Sequence, residues 1–204
     1  MAMTAKIRAI KDVSEVEVDV RATEDGILGV VSIERIWTAR GYGWSAMATA
    51  AVACLIVRPT TTAIVTFYNN TAKNFIIDRL FAHNLVSIAN GQFGIWYCMH
   101  PTGMTAPTND ITIRNSSIGA AAGTEGIFDN GATVVDNGWF PIGPSEYSVT
   151  ATVPGSLVEA HVGGKLIVPP TAAISLSAVG QTAVVTVTMG LHYFSVPVTE
   201  FALG

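Results

Sequence analysis

The chain has 204 residues, with 11 Lys and Arg against 15 Asp and Glu, a net charge of −4, and apolar residues making up 50% of it. That length suits one domain with an arm, and the mild acidity with no basic run excludes a general nucleic-acid binder. Mean hydropathy is +0.44, yet the apolar stretch from Ser45 to Val57 is stopped by Arg58 and Pro59 well short of the about 20 residues a membrane-spanning helix needs, so no membrane partner is expected.

Residues 1–25 read as an N-terminal arm. The run "EVEVDV" alternates acid and valine, the period of a half-exposed strand. Val16, Val18 and Val20 then share one face and Glu15, Glu17 and Asp19 the other. Such a strand is not stable alone and must add to a sheet. No apolar signal core precedes it, so no secretion signal is read. Six of the Lys and Arg and seven of the Asp and Glu fall within residues 1–40, which is half of the charge in about a fifth of the chain. A body so poor in charge is expected to cover its surface with other subunits.

Residues 26–204 read as one domain. After a turn at Asp25-Gly26, the segment to Trp37 favours an extended conformation because of Val30, Val31, Ile33 and Ile36, although "VSIERIW" also fits a turn or two of helix. Residues 45–57 read as a strand buried on both faces, followed across "RPTT" by a neighbouring strand. Short strands follow at 74–86, 92–100, 110–115, 147–153, 164–170, 172–178 and 182–194. The segment 123–146, dense in Gly, Asn, Asp and Pro, reads as a long loop with a short strand at 132–135. In the last segment Val184, Thr186 and Thr188 fall on one face and Val185, Val187 and Met189 on the other. Many short strands with turn signals and no long helix predict an all-β, antiparallel, jelly-roll-like sandwich behind the arm.

Chemistry-bearing patterns are sparse. His83, His100, His161 and His192 lie on separate segments without a metal-type frame. Cys54 and Cys98 sit in apolar segments and read as buried thiols. Ser45 in "GWSAM" lacks the second glycine of a nucleophile elbow. Asp129 and Asp136 lie in "DNGATVVDNG", which lacks the dense oxygen ligands of a calcium loop and suits turns instead. "NNT" at 69–71 and "NSS" at 115–117 fit the glycosylation sequon. No catalytic residue, metal or cofactor is expected, and the chain does not read as an enzyme. Trp139-Phe140, between Gly138 and Pro141, is expected on a loop as an exposed contact patch; Val16, Val18, Val20, Trp37 and Trp44 are the other expected contact residues.

The segments "TFYNNTAKNFIIDRLFAHNL" and "GQFGIWYCMHPTG", with "GGKLIVPPTAAISLSAVGQTAVVTVTMGLHYFSVP" further on, resemble small jelly-roll virion proteins of tailed bacteriophages, over roughly residues 62–198. The resemblance implies a capsid-decorating, cementing or fibre-like component of the virion, usually a homotrimer, with the major capsid protein or another virion protein as partner. It brings no catalytic residues. A host-recognition module binding a glycan or receptor through Trp139-Phe140 is the other reading.

Overall fold

The computed structural model describes residues 8–10, 17–19, 32–61, 63–89, 91–119, 125–131, 136–148 and 156–200. In chain order the elements are β1 (Arg8–Ile10), β2 (Glu17–Asp19), α1 (Ile33–Ala39), β3 (Gly43–Met47), β4 (Val52–Ala53), β5 (Val65–Tyr68) and β6 (Lys73–Val86). There follow β7 (Gly91–His100), β8 (Arg114–Asn115), β9 (Ile127–Asn130), β10 (Trp139–Ser148), β11 (Leu157–Val168), β12 (Ala173–Gly180) and β13 (Thr186–Pro197).

The fold is an all-β sandwich of two antiparallel sheets. The first sheet runs β11-β6-β13-β3-β8, with β4 beside β13; the second runs β10-β7-β12-β5-β9. Consecutive long strands mostly change sheet: β5 lies in the second, β6 in the first and β7 in the second again. Near the N-terminus, β2 pairs with β1 (Ala9 opposite Val18) in a two-stranded sheet.

Alternation along the strands sets the core. Val185, Val187, Met189 and Leu191 are fully buried, while Val184 is exposed, as the two-residue period requires. At the centre Phe67 meets Phe75, Phe128 and Tyr193 at ring distances of 5.1, 4.9 and 4.6 Å. The Tyr193 hydroxyl donates to the Glu125 carbonyl at 2.5 Å. Glu125 also accepts from the Lys73 ammonium and the Ser195 hydroxyl, which ties its segment to two strands of the first sheet.

Five expectations need correction. Trp37 stands on a helix, not on an extended segment. Its ring is buried against Phe194 at 5.4 Å, beside Ile76 and Val196 on the outer face of the first sheet. The helix ends in a Schellman motif: Gly41, at φ +78°, donates to Thr38 O, and Tyr42 donates to Trp37 O. Tertiary burial of Trp37 outweighs the β-branched composition.

The run 45–57 is not one strand. It leaves β3 at Met47, touches β13 again as β4, and then crosses to the second sheet, where Leu55 exchanges backbone bonds with Ala178 and Gly180. A run that changes sheets cannot keep one ladder.

The long loop expected at 123–146 contains β9 and the start of β10, so Trp139-Phe140 lie on a strand. The strand expected at 132–135 lies outside the described residues, as do 149–153 of the strand expected at 147–153.

The strand expected at 110–115 shrinks to β8, with Ile111 and Ile113 buried ahead of it. The one expected at 164–170 starts earlier, at Leu157, because "VGGK" is an irregularity within β11 and not a turn before it.

Both sequon asparagines are buried turn builders. Asn69 donates to Lys73 O and Val168 O at 2.8 Å each, and Asn115 donates to Gly41 O at 2.7 Å. Among the described residues no helix is long and apolar enough to cross a membrane.

Candidate functional site

Two polar groupings stand out in a body with little charge, one on the outer face of each sheet.

On the first sheet, strand register brings five residues into one row. His161 of β11 lies opposite Arg79 of β6, Arg79 opposite His192 of β13, His192 opposite Ser45 of β3, and Ser45 opposite Arg114 of β8. Their neighbours Leu80, Ala160, Leu191 and Ala46 point into the core, so the row faces outward. Arg79 forks between Glu159 (2.9 Å) and Asp78 (3.0 Å). These bonds raise the guanidinium's pKa, Glu159 first, and Arg79 in turn holds Glu159 below its ordinary value. His161 stands 3.6 Å from the other oxygen of Glu159.

Ser45 Oγ lies 2.7 Å from His192 Nδ1 and 3.3 Å from Ser116 Oγ. The His192 ring packs on Phe81 with centroids 5.1 Å apart. Burial lowers the His192 pKa, and the nearby Arg79 charge lowers it further. A cleft of about 340 Å³ opens here, lined by Glu34, Trp44, Asp78, Arg79, Ser116 and His192 among others.

A hydroxyl beside a neutral imidazole is the start of a nucleophile–base pair. Acyl transfer also needs an acid orienting the imidazole and donors for the oxyanion. Among the described residues no carboxylate hydrogen-bonds His192, and Ser45 sits mid-strand with ladders on both sides that occupy the backbone amides. The row presents charged and hydrogen-bonding groups that can bind a polar or charged ligand.

On the second sheet, Cys98 and His100 project outward from β7, where Ala63 packs with Cys98. His100 Nδ1 lies 3.1 Å from Asp136 Oδ2, and Nε2 lies 2.8 Å from Ser175 Oγ. Ser175 Oγ is 2.9 Å from Thr66 Oγ1. Burial lowers the His100 pKa against the pull of Asp136, while the Gly138 amide and then His100 lower that of Asp136. Burial, with Asp136 next in size, pushes the Cys98 thiol up to about 12. The order acid–imidazole–hydroxyl matches a hydrolase triad, but Ser175 is 0% exposed and held by Thr66, so its hydroxyl meets no substrate. Among the described residues, the ligand atoms of Cys98, His100 and Asp136 converge closely enough for a metal ion. A further cleft, along β7 and β10, is lined by no ionisable side chain among the described residues.

Of the expected contact residues, Val16 and Val20 lie outside the described residues, and Val18 is in β2. Trp37 (7% exposed) and Trp139 (1%) are buried in the chain's own core. Trp44 is half-buried against the main core, and Phe140 is 57% exposed. Asp129 and Asp136 do not meet: Asp129 accepts the Thr108 amide, and Asp136 faces His100. The Ser45–His192 pair was not legible, because it depends on register between distant strands. Cys98 and His100 did carry a signal, since C-x-H on a strand puts both side chains on one face. Both cysteines are free and buried.

No family model, curated protein or solved structure matches the chain.

Proposed function

We propose that the chain is a structural virion protein. It forms a homotrimer through its charge-poor faces and binds a capsid surface as a decoration or cement protein, with no enzymatic role. One observation carries this reading: large apolar side chains stand exposed on a body that has little charge to keep it apart in water. Val86 (51%), Leu157 (57%) and Val184 (51%) stand exposed at the end of the first sheet where β6 stops, β11 starts and the chain enters β13. Ile56 and Val57, at 64% and 66%, stand exposed on the segment over the second sheet. Covering such surface gains about 25 cal/mol per Å², which becomes decisive over an interface of more than roughly 1,000 Å².

The strand order supports the same reading. Take the eight principal strands β3, β5, β6, β7, β10, β11, β12 and β13 in sequence. The first sheet holds the sixth, third, eighth and first; the second holds the fifth, fourth, seventh and second. That order fits the wrapping of a jelly roll, an architecture common in capsid and lectin domains, and so supports the reading. Its mechanism here is mechanical: burial between subunits and against a shell holds a particle together.

The test is the mass in solution by light scattering at several concentrations. A stable trimer is expected. A monomer at every concentration would overturn the reading.

A further inference from the structure

We propose that Cys98, His100 and Asp136 form a zinc site, a role independent of the assembly reading. Cys98 and His100 stand two apart on β7 and so project from one face. Asp136 arrives from the segment before β10. His100 Nδ1 lies 3.1 Å from Asp136 Oδ2 and 3.9 Å from Cys98 Sγ, and all three ligand atoms lie within 4.8 Å of one another. Zinc bonds of about 2.0–2.3 Å in a tetrahedron place neighbouring ligand atoms roughly 3.3–3.8 Å apart. The separations of 3.1 and 3.9 Å bracket that edge, so small side-chain shifts close the site.

The surrounding bonds orient each ligand as an outer shell does. Gly138 donates its amide to Asp136 Oδ1 at 2.7 Å, which leaves Oδ2 turned toward His100. The Asp136 amide donates to Thr60 O at 3.0 Å. Arg58 donates to Asn137 O and Trp139 O at 2.5 and 3.1 Å, pinning the same segment. On the far side of the imidazole, Ser175 Oγ is placed to accept from Nε2–H, and Thr66 backs it. That tautomer frees the Nδ1 lone pair for the ion. Ala63, Trp139 and Trp96 wall the sulfur in an apolar layer. The Asp136 side chain is 28% exposed, so the ion enters from its side.

One thiolate, one imidazole and one carboxylate suit zinc better than calcium or magnesium, which take oxygen ligands. On binding, the Cys98 S–H bond breaks, a Zn–S bond forms and the proton leaves to solvent. Three protein ligands leave the fourth position to water or to a donor atom from a partner.

The experiment uses the full chain without a histidine tag. It is dialysed against zinc and assayed for bound metal, then titrated with cobalt(II) while the thiolate-to-cobalt charge-transfer absorption is followed in the near ultraviolet. The expected result is one equivalent of zinc and a cobalt band that disappears in Cys98→Ser. Because Cys98 is fully buried, the partly exposed Asp136→Asn serves as the second variant, expected to weaken cobalt binding at least about ten-fold with circular dichroism unchanged. Wild-type protein that binds no zinc and gives no cobalt band would overturn the site. So would a band that survives Cys98→Ser, or cobalt binding unchanged in Asp136→Asn.

Discussion

Ser45 Oγ lies 2.7 Å from Nδ1 of His192, although the two residues are 147 positions apart. The pair exists because β3 and β13 are registered with these residues opposite each other. It ties the strand after the helix to the last strand of the sandwich. Ser45→Ala removes this hydrogen bond and the longer one to Ser116 Oγ, and is expected to cost about 1–2 kcal/mol, read as a lower urea midpoint with an unchanged slope.

The same pair predicts a pH dependence. Burial, then the Arg79 charge, lowers the His192 pKa below its ordinary 6.5, against weaker opposite pulls from Asp78 and Glu159. Between the folded value and 6.5 the unfolded chain therefore binds more protons than the folded one, and stability rises with pH. The contribution is complete above the unfolded value and is lost as pH falls toward the folded one. His100 shifts in the same direction, so the informative quantity is the difference between wild type and His192→Gln. The wild type should lose more stability than the variant between about pH 7.5 and 5. Equal losses would remove His192 from the account.

Gly190 sits under the aromatic edge of this row. A Cβ there would overlap the Ala46 carbonyl oxygen and the Phe81 ring, and the backbone oxygen cannot swing aside. Gly190→Ala is expected to destabilise by about 1–3 kcal/mol through overpacking and to displace Phe81 from His192. A thermal melt measures the first effect, and the chemical shifts of the His192 ring measure the second.

Phe67 is the hub of the core, 0% exposed and in contact with three other rings. Phe67→Ala is expected to cost about 3–5 kcal/mol in denaturant unfolding, because the rings around it are anchored on different strands and cannot collapse into the space. A loss under about 1 kcal/mol would mean that the core repacks freely.

Phe67 also marks what the sequence made legible. The long apolar runs read as strands at 74–86 and 182–194 became β6 and β13, and alternation in the second put Val187 and Met189 on one face, which is buried. Where the local signal was weak, tertiary contacts decided. The helix at Ile33–Ala39 forms because Trp37 finds Ile76, Phe194 and Val196, none of which is near it in sequence. Trp139-Phe140 looked like a loop because Gly138 and Pro141 flank it, yet β7 pairs with it through both residues. The polar groupings were the least legible part. His161, Arg79, His192, Ser45 and Arg114 belong to five strands, and only register aligns them.

The assembly reading makes a prediction about one surface. Leu157 and Val184 are more than half exposed at the same end of the first sheet, near Val86. Charged replacements at such positions normally change monomer stability by under about 0.5 kcal/mol. In an oligomer that buries this end, each replacement places an unpaired charge in an apolar contact, which costs several kcal/mol per interface. Leu157→Lys combined with Val184→Glu should therefore leave the far-ultraviolet circular dichroism of the chain intact while light scattering drops to the monomer mass. An oligomer that keeps its mass at low micromolar concentration would exclude this end of the sheet as the contact. The exposed pair Ile56 and Val57, over the second sheet, would then be the surface to charge next.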